Sequence, residues 1–187
     1  FLSFIPNMTI LSPKNRWEMA DMVRFAVEFE CPVALRYPRG EAYEGLRQFR
    51  APVEYGKSEI LYEEGDVAIL FVGHMAKLAE EVRDGLKEEG ISCSLVNARF
   101  VKPLDKDTLN RLAKKHRLLV TIEENVWTGG YGQQVQAYVS GQGLPLDVLG
   151  IAIPDEYVEH GDVNILRQEV GLEKGAILRR IKERKAE

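Results

Sequence analysis

Cysteine is scarce here. There are two residues, Cys31 and Cys93, in 187. Neither lies in a Cys-x-x-Cys pair or a Cys/His cluster, so zinc-ligand spacing is absent and a reduced, cytoplasmic chain is the expectation. No apolar run approaches the ~20 residues of a membrane-spanning helix. The net charge is only −4, which gives no general attraction to nucleic acid or anionic lipid. There is no Walker loop and no nucleophile elbow. The opening residues do not read as a basic leader with a cleavage signal. The chain opens Phe1-Leu2-Ser3-Phe4-Ile5, without an initiator Met, and reads as the interior of something longer.

What is present suits a globular chain. Hydrophobic residues make up 45% and charged residues 29%, and the length allows one full domain and part of another. Ser12-Pro13 predicts a helix start, since Ser can cap and Pro fits the first helical position. Met19, Met22, Val23, Ala26 and Phe29 follow at helical spacing. Residues 31–37 read as a short strand, closed by Pro38 and Gly40. Residues 41–57 are polar and irregular and read as a linker.

Beyond the linker the pattern is more regular. Residues 67–72 form an unbroken apolar run, as in a strand buried on both faces. Met75, Leu78, Ala79, Val82 and Leu86 form a helical stripe that Gly90 can close. Strands follow at 91–96, 118–122 and 146–153. Helices carry Leu109, Leu112 and Ala113, then Val135, Tyr138 and Val139, and two short helices end the chain. This alternation predicts an α/β fold with a mostly parallel sheet flanked by helices.

Several constellations could carry chemistry. Arg36-Tyr37-Pro38-Arg39-Gly40 follows a strand, where open α/β sheets bind ligands. Two guanidinium groups, with Pro to stiffen and Gly to admit a close backbone, suit an oxyanion with several acceptors. Pairing with acids at a domain seam explains the same residues, and spacing alone leaves both readings open. Gly130-Tyr131-Gly132 opens a helix, but a tight turn for helix–sheet packing accounts for it better than a phosphate cradle. Gly65-Asp66, with Asn97 thirty residues on, imitates a magnesium–diphosphate signature. Asp66 precedes a strand rather than following one, so it reads as a turn residue. His74 and Glu123-Glu124 sit near strand carboxyl ends, with nothing in the sequence to pair them. The glutamates could lie near the positive end of the next helix. His116, among Lys114, Lys115 and Arg117, reads as structural. His160, in an acidic loop, reads as an interface residue or a proton carrier.

The order and spacing of several stretches resemble 1-deoxy-D-xylulose-5-phosphate synthase, a thiamine-diphosphate enzyme of the transketolase type. They are Ile5-Pro6-Asn7-Met8, Arg36-Tyr37-Pro38-Arg39-Gly40, the run from Val96 through Arg99 to Asp105, Thr121-Ile122-Glu123-Glu124-Asn125, Gly129-Gly130-Tyr131-Gly132, and Pro154-Asp155 with His160-Gly161. Together they span nearly the whole chain. The resemblance implies that residues 1–50 are the C-terminal part of a pyrimidine-binding domain and residues 51–187 a transketolase C-terminal domain. It implies a parent enzyme that condenses pyruvate with glyceraldehyde 3-phosphate, releases CO2, and feeds isoprenoid, thiamine and pyridoxal synthesis. The phosphate-holding role falls on Arg39, with Arg36, Tyr37 and Gly40 shaping the loop.

The family's Gly-Asp-Gly metal motif, its activating glutamate and its substrate-side histidine have no counterpart in these residues. Thiamine diphosphate and Mg2+ are therefore expected in the intact homodimeric enzyme, completed by its N-terminal domains, and not on this piece, which is expected to be inactive alone. Two other readings stand beside this one. The first is the C-terminal domain of a 2-oxoacid dehydrogenase β-subunit, which has no phosphorylated acceptor. The second is a non-catalytic assembly or anion-binding module.

Overall fold

A computed structural model of the chain describes residues 2–186. Its main sheet has five strands: β3 (Glu59–Tyr62), β4 (Val67–Phe71), β5 (Cys93–Asn97), β7 (Leu118–Val126) and β8 (Asp147–Ile153). They lie in the order β3-β5-β4-β7-β8. All neighbours run parallel except β3, which pairs antiparallel with β5. The expected mostly parallel sheet is present, with one antiparallel edge strand that the sequence pattern did not disclose.

The apolar run of β4 shows why the sheet sits between two helical layers. Successive side chains on a strand point to opposite faces. Val67, Ile69 and Phe71 enter one core, where α2 (Ala76–Glu88) lays down Ala79, Val82 and Leu86 and α6 (Lys174–Ala186) adds Ile177 and Ile181. Ala68 and Leu70 enter the other core, filled from α3 (Lys106–Leu112) by Leu109 and Leu112 and from α4 (Tyr131–Gly141) by Val135 and Val139. A strand buried on both faces has no polar side to show, hence the unbroken run. Gly90, at φ +78°, ends α2 in the left-handed conformation that L side chains rarely adopt. The final helix, α6, is 13 residues long rather than short. Before it comes the seven-residue α5 (Val163–Glu169).

A second, three-stranded sheet joins the two halves of the chain. It consists of β1 (Thr9–Leu11), β2 (Val33–Leu35) and β6 (Phe100–Lys102), in the order β2-β1-β6. Strand β2 runs parallel to β1, and β6 runs antiparallel to it. The early residues are therefore stitched to the late ones by main-chain hydrogen bonds.

Helix α1 (Arg16–Glu28) starts later than the Ser12-Pro13 signal implies. Its cap is Asn15, whose side chain accepts from the Glu18 amide at 3.0 Å. Ser12 is engaged elsewhere, its hydroxyl donating to the Arg36 carbonyl at 3.1 Å. The predicted stripe is only partly inward. Met22 is buried, while Val23 is exposed.

The irregular stretch at 41–57 is seated rather than loose. Leu46 is buried in the main core, and Tyr43 donates its hydroxyl to Glu80 on α2.

Candidate functional site

The loop at 36–40 leaves the end of β2 and reaches the carboxyl edge of the main sheet. In that sheet the chain passes from β4 outward to β5 through α2, and returns to β7 on the other side through α3. Strands β4 and β7 therefore part at a switch point, where the crevice beyond their carboxyl ends is a natural ligand position. His74 follows β4, and Glu124 lies near the end of β7. The structure brings them together: His74 Nε2 lies 2.5 Å from Glu124 Oε2.

Glu124 is the hub of this cluster. Its other oxygen accepts from Arg167 of α5, at 2.8 Å from Nε and 2.7 Å from Nη2. Its main-chain carbonyl accepts from Arg36 Nη2 at 2.6 Å. The hydrogen bond from His74, aided by Arg167, holds the Glu124 carboxyl down to about 2 despite partial burial. Nothing in the sequence spacing pairs these residues, since 50 positions separate His74 from Glu124 and 88 separate Arg36 from it.

Arg39 is exposed, and among the described residues no acid pairs with it. With Arg167, His74, Lys77 and Lys174 it lines a cleft of about 760 Å³ between the 37–44 loop, the start of α2 and the last two helices. Gly40 has φ +121°, a conformation open to glycine, and Tyr37 is 63% exposed. Arg36 and Arg39 thus differ. Arg36 is tied to the sheet edge, and Arg39 has its guanidinium available. Basic and acidic groups share the lining, Lys14, Arg39, Lys77, Arg167 and Lys174 beside Glu41, Glu44, Glu81 and Glu173.

The glycine-rich turn before α4 is occupied by the protein's own anion. The Glu123 carboxylate accepts from the amides of Tyr131, at 2.9 Å, and Gly132, at 2.7 Å. It caps the positive end of α4, the geometry that elsewhere receives phosphate. A Cβ on Gly130 would lie 2.7 Å from a Glu123 oxygen, and one on Gly132 would lie 2.4 Å from the Thr121 hydroxyl. Tight packing therefore explains these glycines. Burial pushes the Glu123 carboxyl up, against the pull of the two amides.

The remaining histidines separate cleanly. His116 is buried, its ring nitrogens 3.0 Å from the Leu112 carbonyl and 2.9 Å from the Glu64 carbonyl, so its role is structural. His160 is exposed in the loop before α5.

Asp66 and Asn97, which imitate a magnesium–diphosphate signature in the sequence, are both engaged within the protein. Asp66 accepts from the amide and hydroxyl of Ser92, at the amino end of β4. Asn97 donates to both oxygens of Glu18 at 2.9 Å. Among the described residues no three His, Cys, Asp or Glu side chains cluster as metal ligands, and no helix is long and apolar enough to cross a membrane.

Sequence reasoning missed a second constellation, a buried ionic lattice. Lys14 Nζ donates to Glu18 at 2.9 Å and to Glu59 at 2.6 Å. Arg99 binds Glu18 through Nε at 2.8 Å and Glu59 through Nη2 at 3.0 Å. Its guanidinium also donates to the carbonyls of Ala51 and Pro52, both at 2.8 Å. Each charge has an opposite partner and further hydrogen bonds, the condition under which buried ions are tolerated. The lattice fastens α1 to β3 and to the β5–β6 turn. The one available signal was the Asn97-Ala98-Arg99 run, which spacing alone could not interpret.

A strand order with a switch point, flanked by two helical layers, defines the class, and comparison agrees. Residues 56–177 match the family model for the transketolase C-terminal domain, and the chain belongs to that family. The curated relatives are more particular. The chain is 39% identical over 182 residues to the 1-deoxy-D-xylulose-5-phosphate synthase of Lachnoclostridium phytofermentans, covering 97% of this chain and 29% of that protein. It is 41% identical over 180 residues to the synthase of Heliobacterium modesticaldum, covering 96% and 28%. The chain thus spans less than a third of the length of these relatives. Among solved structures, a split gene transketolase, described as an inactive beta4 tetramer, superposes with a TM-score of 0.90 at 27% identity, covering 97% of this chain and 59% of that one. Transketolase from Campylobacter jejuni gives 0.75 at 16% identity, covering 97% and 27%, a likeness of fold.

Proposed function

We propose that this chain is the C-terminal portion of a 1-deoxy-D-xylulose-5-phosphate synthase, the enzyme that joins pyruvate to glyceraldehyde 3-phosphate with loss of CO2. In this reading Arg39 anchors the phosphate of the acceptor aldehyde, and Arg36, Tyr37 and Gly40 hold its loop. One observation carries the assignment. Arg39 lines the cleft between its own loop, the start of α2 and the last two helices, with no acid paired to it among the described residues, while Arg36 is committed to Glu124. The relatives' shared name supports the same acceptor.

Residues 1–50 are then the end of a pyrimidine-binding domain and residues 51–187 the C-terminal domain, a division supported by a family match beginning at residue 56. The intact enzyme is a cytoplasmic homodimer in which other domains hold thiamine diphosphate and Mg2+. The cofactor supplies the carbanion chemistry, and this portion contributes electrostatic anchoring and packing. Alone, it is inactive. The inactive tetramer of the split gene transketolase offers a parallel for a chain of this architecture.

A donor–acceptor assay on the full-length protein tests the reading. Pyruvate with glyceraldehyde 3-phosphate should yield the condensation product and CO2. Acyl transfer to a lipoyl carrier instead would establish the 2-oxoacid dehydrogenase reading. Calorimetry on the 187-residue chain should show no heat of binding with thiamine diphosphate and Mg2+. Micromolar affinity would contradict the division of labour proposed here.

A further inference from the structure

Glu124 lies where the sheet does not fix the backbone. Strands β7 and β8 stay in register from Leu118 to Ile122, slip, and pair again only at Val126 with Ile153. Residues 123–125 therefore lack the regular ladder. The Glu124 side chain is clamped between His74 and Arg167. Its carbonyl receives Arg36. Arg36 is held on its other side by Leu11, whose carbonyl accepts the Arg36 amide at 2.8 Å, and by the Ser12 hydroxyl.

We propose that His74, Glu124 and Arg167 are positioning residues for the arginine loop. They act through the Glu124 carbonyl on Arg36, and so fix where Arg39, three residues on, presents its guanidinium. The C-terminal unit then tunes, through this loop, the grip on an acceptor phosphate. This rests on the phosphate reading above for its catalytic consequence, but the loop restraint itself does not.

Two measurements separate these layers. The first is trypsin cleavage of the folded 187-residue chain at the Arg36–Tyr37 bond, followed by mass spectrometry. Cleavage of a native chain follows local opening. Glu124→Ala and Arg167→Ala should speed cleavage at Arg36 by about tenfold relative to arginyl bonds outside the 36–40 loop, whereas Arg167→Lys should recover part of the protection. An unchanged Arg36 rate, or a uniform rise at every bond, overturns the restraint.

The second is steady-state kinetics of the full-length enzyme carrying the same substitutions, with and without a phosphate on the acceptor. KM for glyceraldehyde 3-phosphate should rise about tenfold or more, since small misplacements of a binding group cost that much, while KM for pyruvate stays within about twofold. Glyceraldehyde, lacking the phosphate, should be used as well as by wild type. Equal losses with both acceptors overturn the positioning role. Arg39→Ala is the internal control. If it leaves KM for glyceraldehyde 3-phosphate unchanged, the phosphate reading has failed. If it raises that KM and the Glu124 and Arg167 variants do not, the positioning inference alone has failed. Should Glu124→Ala not fold, His74→Gln at the cleft rim carries both measurements.

Discussion

Arg99 Nε and Glu18 Oε1 meet at 2.8 Å across 81 residues, with both side chains only 3% exposed. Arg99 also holds a left-handed backbone, φ +55°, which a non-glycine residue adopts only where its surroundings compel it. The pair binds the helix of the first 50 residues to the β5–β6 turn. Removing Arg99 leaves the two buried carboxylates, Glu18 and Glu59, sharing the single charge of Lys14. Arg99→Ala should therefore destabilise the chain by about 3–5 kcal/mol and release α1 first. Urea denaturation gives the magnitude, and amide exchange over residues 16–28 gives the location. A loss below about 1 kcal/mol, the range of a surface pair, would mean the lattice does not fasten the two parts.

The Glu124 cluster predicts an acid-labile contribution. Its carboxyl is held below the ordinary range, at about 2, chiefly by His74 and then Arg167. Between the ordinary carboxyl value and about 2 the unfolded chain binds the extra proton, so stability rises with pH across that window. The contribution is complete above about pH 4.5 and fades as pH falls toward 2. Denaturation midpoints from pH 6 downward should fall less steeply in Glu124→Gln. Parallel slopes would contradict the pairing.

Cys93 and Cys31 should react very differently. Burial pushes the Cys93 thiol up to about 12, with the Arg83 charge opposing only in part. Cys31 is exposed. A thiol reagent at pH 8 should label one group per native chain rapidly and the second only after unfolding. Two groups reacting at similar rates would show that the sheet around β5 opens readily.

Gly73 should resist substitution. It sits at φ +54° between β4 and α2, and a Cβ there would lie 2.0 Å from the Ser12 hydroxyl oxygen. Ser12 also holds the Arg36 carbonyl. Gly73→Ala should cost about 1–3 kcal/mol by strain and overpacking, read as a lowered melting temperature. A neutral outcome would mean that the β4–α2 turn and the arginine loop are not in contact.

How much of this was written in the sequence depended on range. The run at 67–72 announced a strand buried on both faces because each of its residues is apolar, and both cores confirm it. Strands β1 and β6 were invisible. Each has three residues, too few for periodicity, and each exists through a partner roughly ninety positions away. Ser12 carried a helix-cap signal, but a tertiary hydrogen bond claimed its hydroxyl and Asn15 took the cap. At the site, the arginine loop and the strand-end positions of His74 and Glu124 were legible. Their junction was not, because contact between residues 50 and 88 positions apart is decided by sheet topology, not by spacing. The lattice of Lys14, Glu18, Glu59 and Arg99 stayed hidden for the same reason, as each member alone looks like a surface charge.

If the proposed synthase reading holds and Arg39, unlike its neighbour Arg36, is free to hold a phosphate, the Michaelis constants of the full-length protein for the two proposed substrates should show it directly after Arg39→Ala. A lost charge-assisted contact to phosphate should raise KM for glyceraldehyde 3-phosphate by about tenfold to a hundredfold, with KM for pyruvate nearly unchanged. Equal changes for both substrates, or none for either, would contradict the assignment.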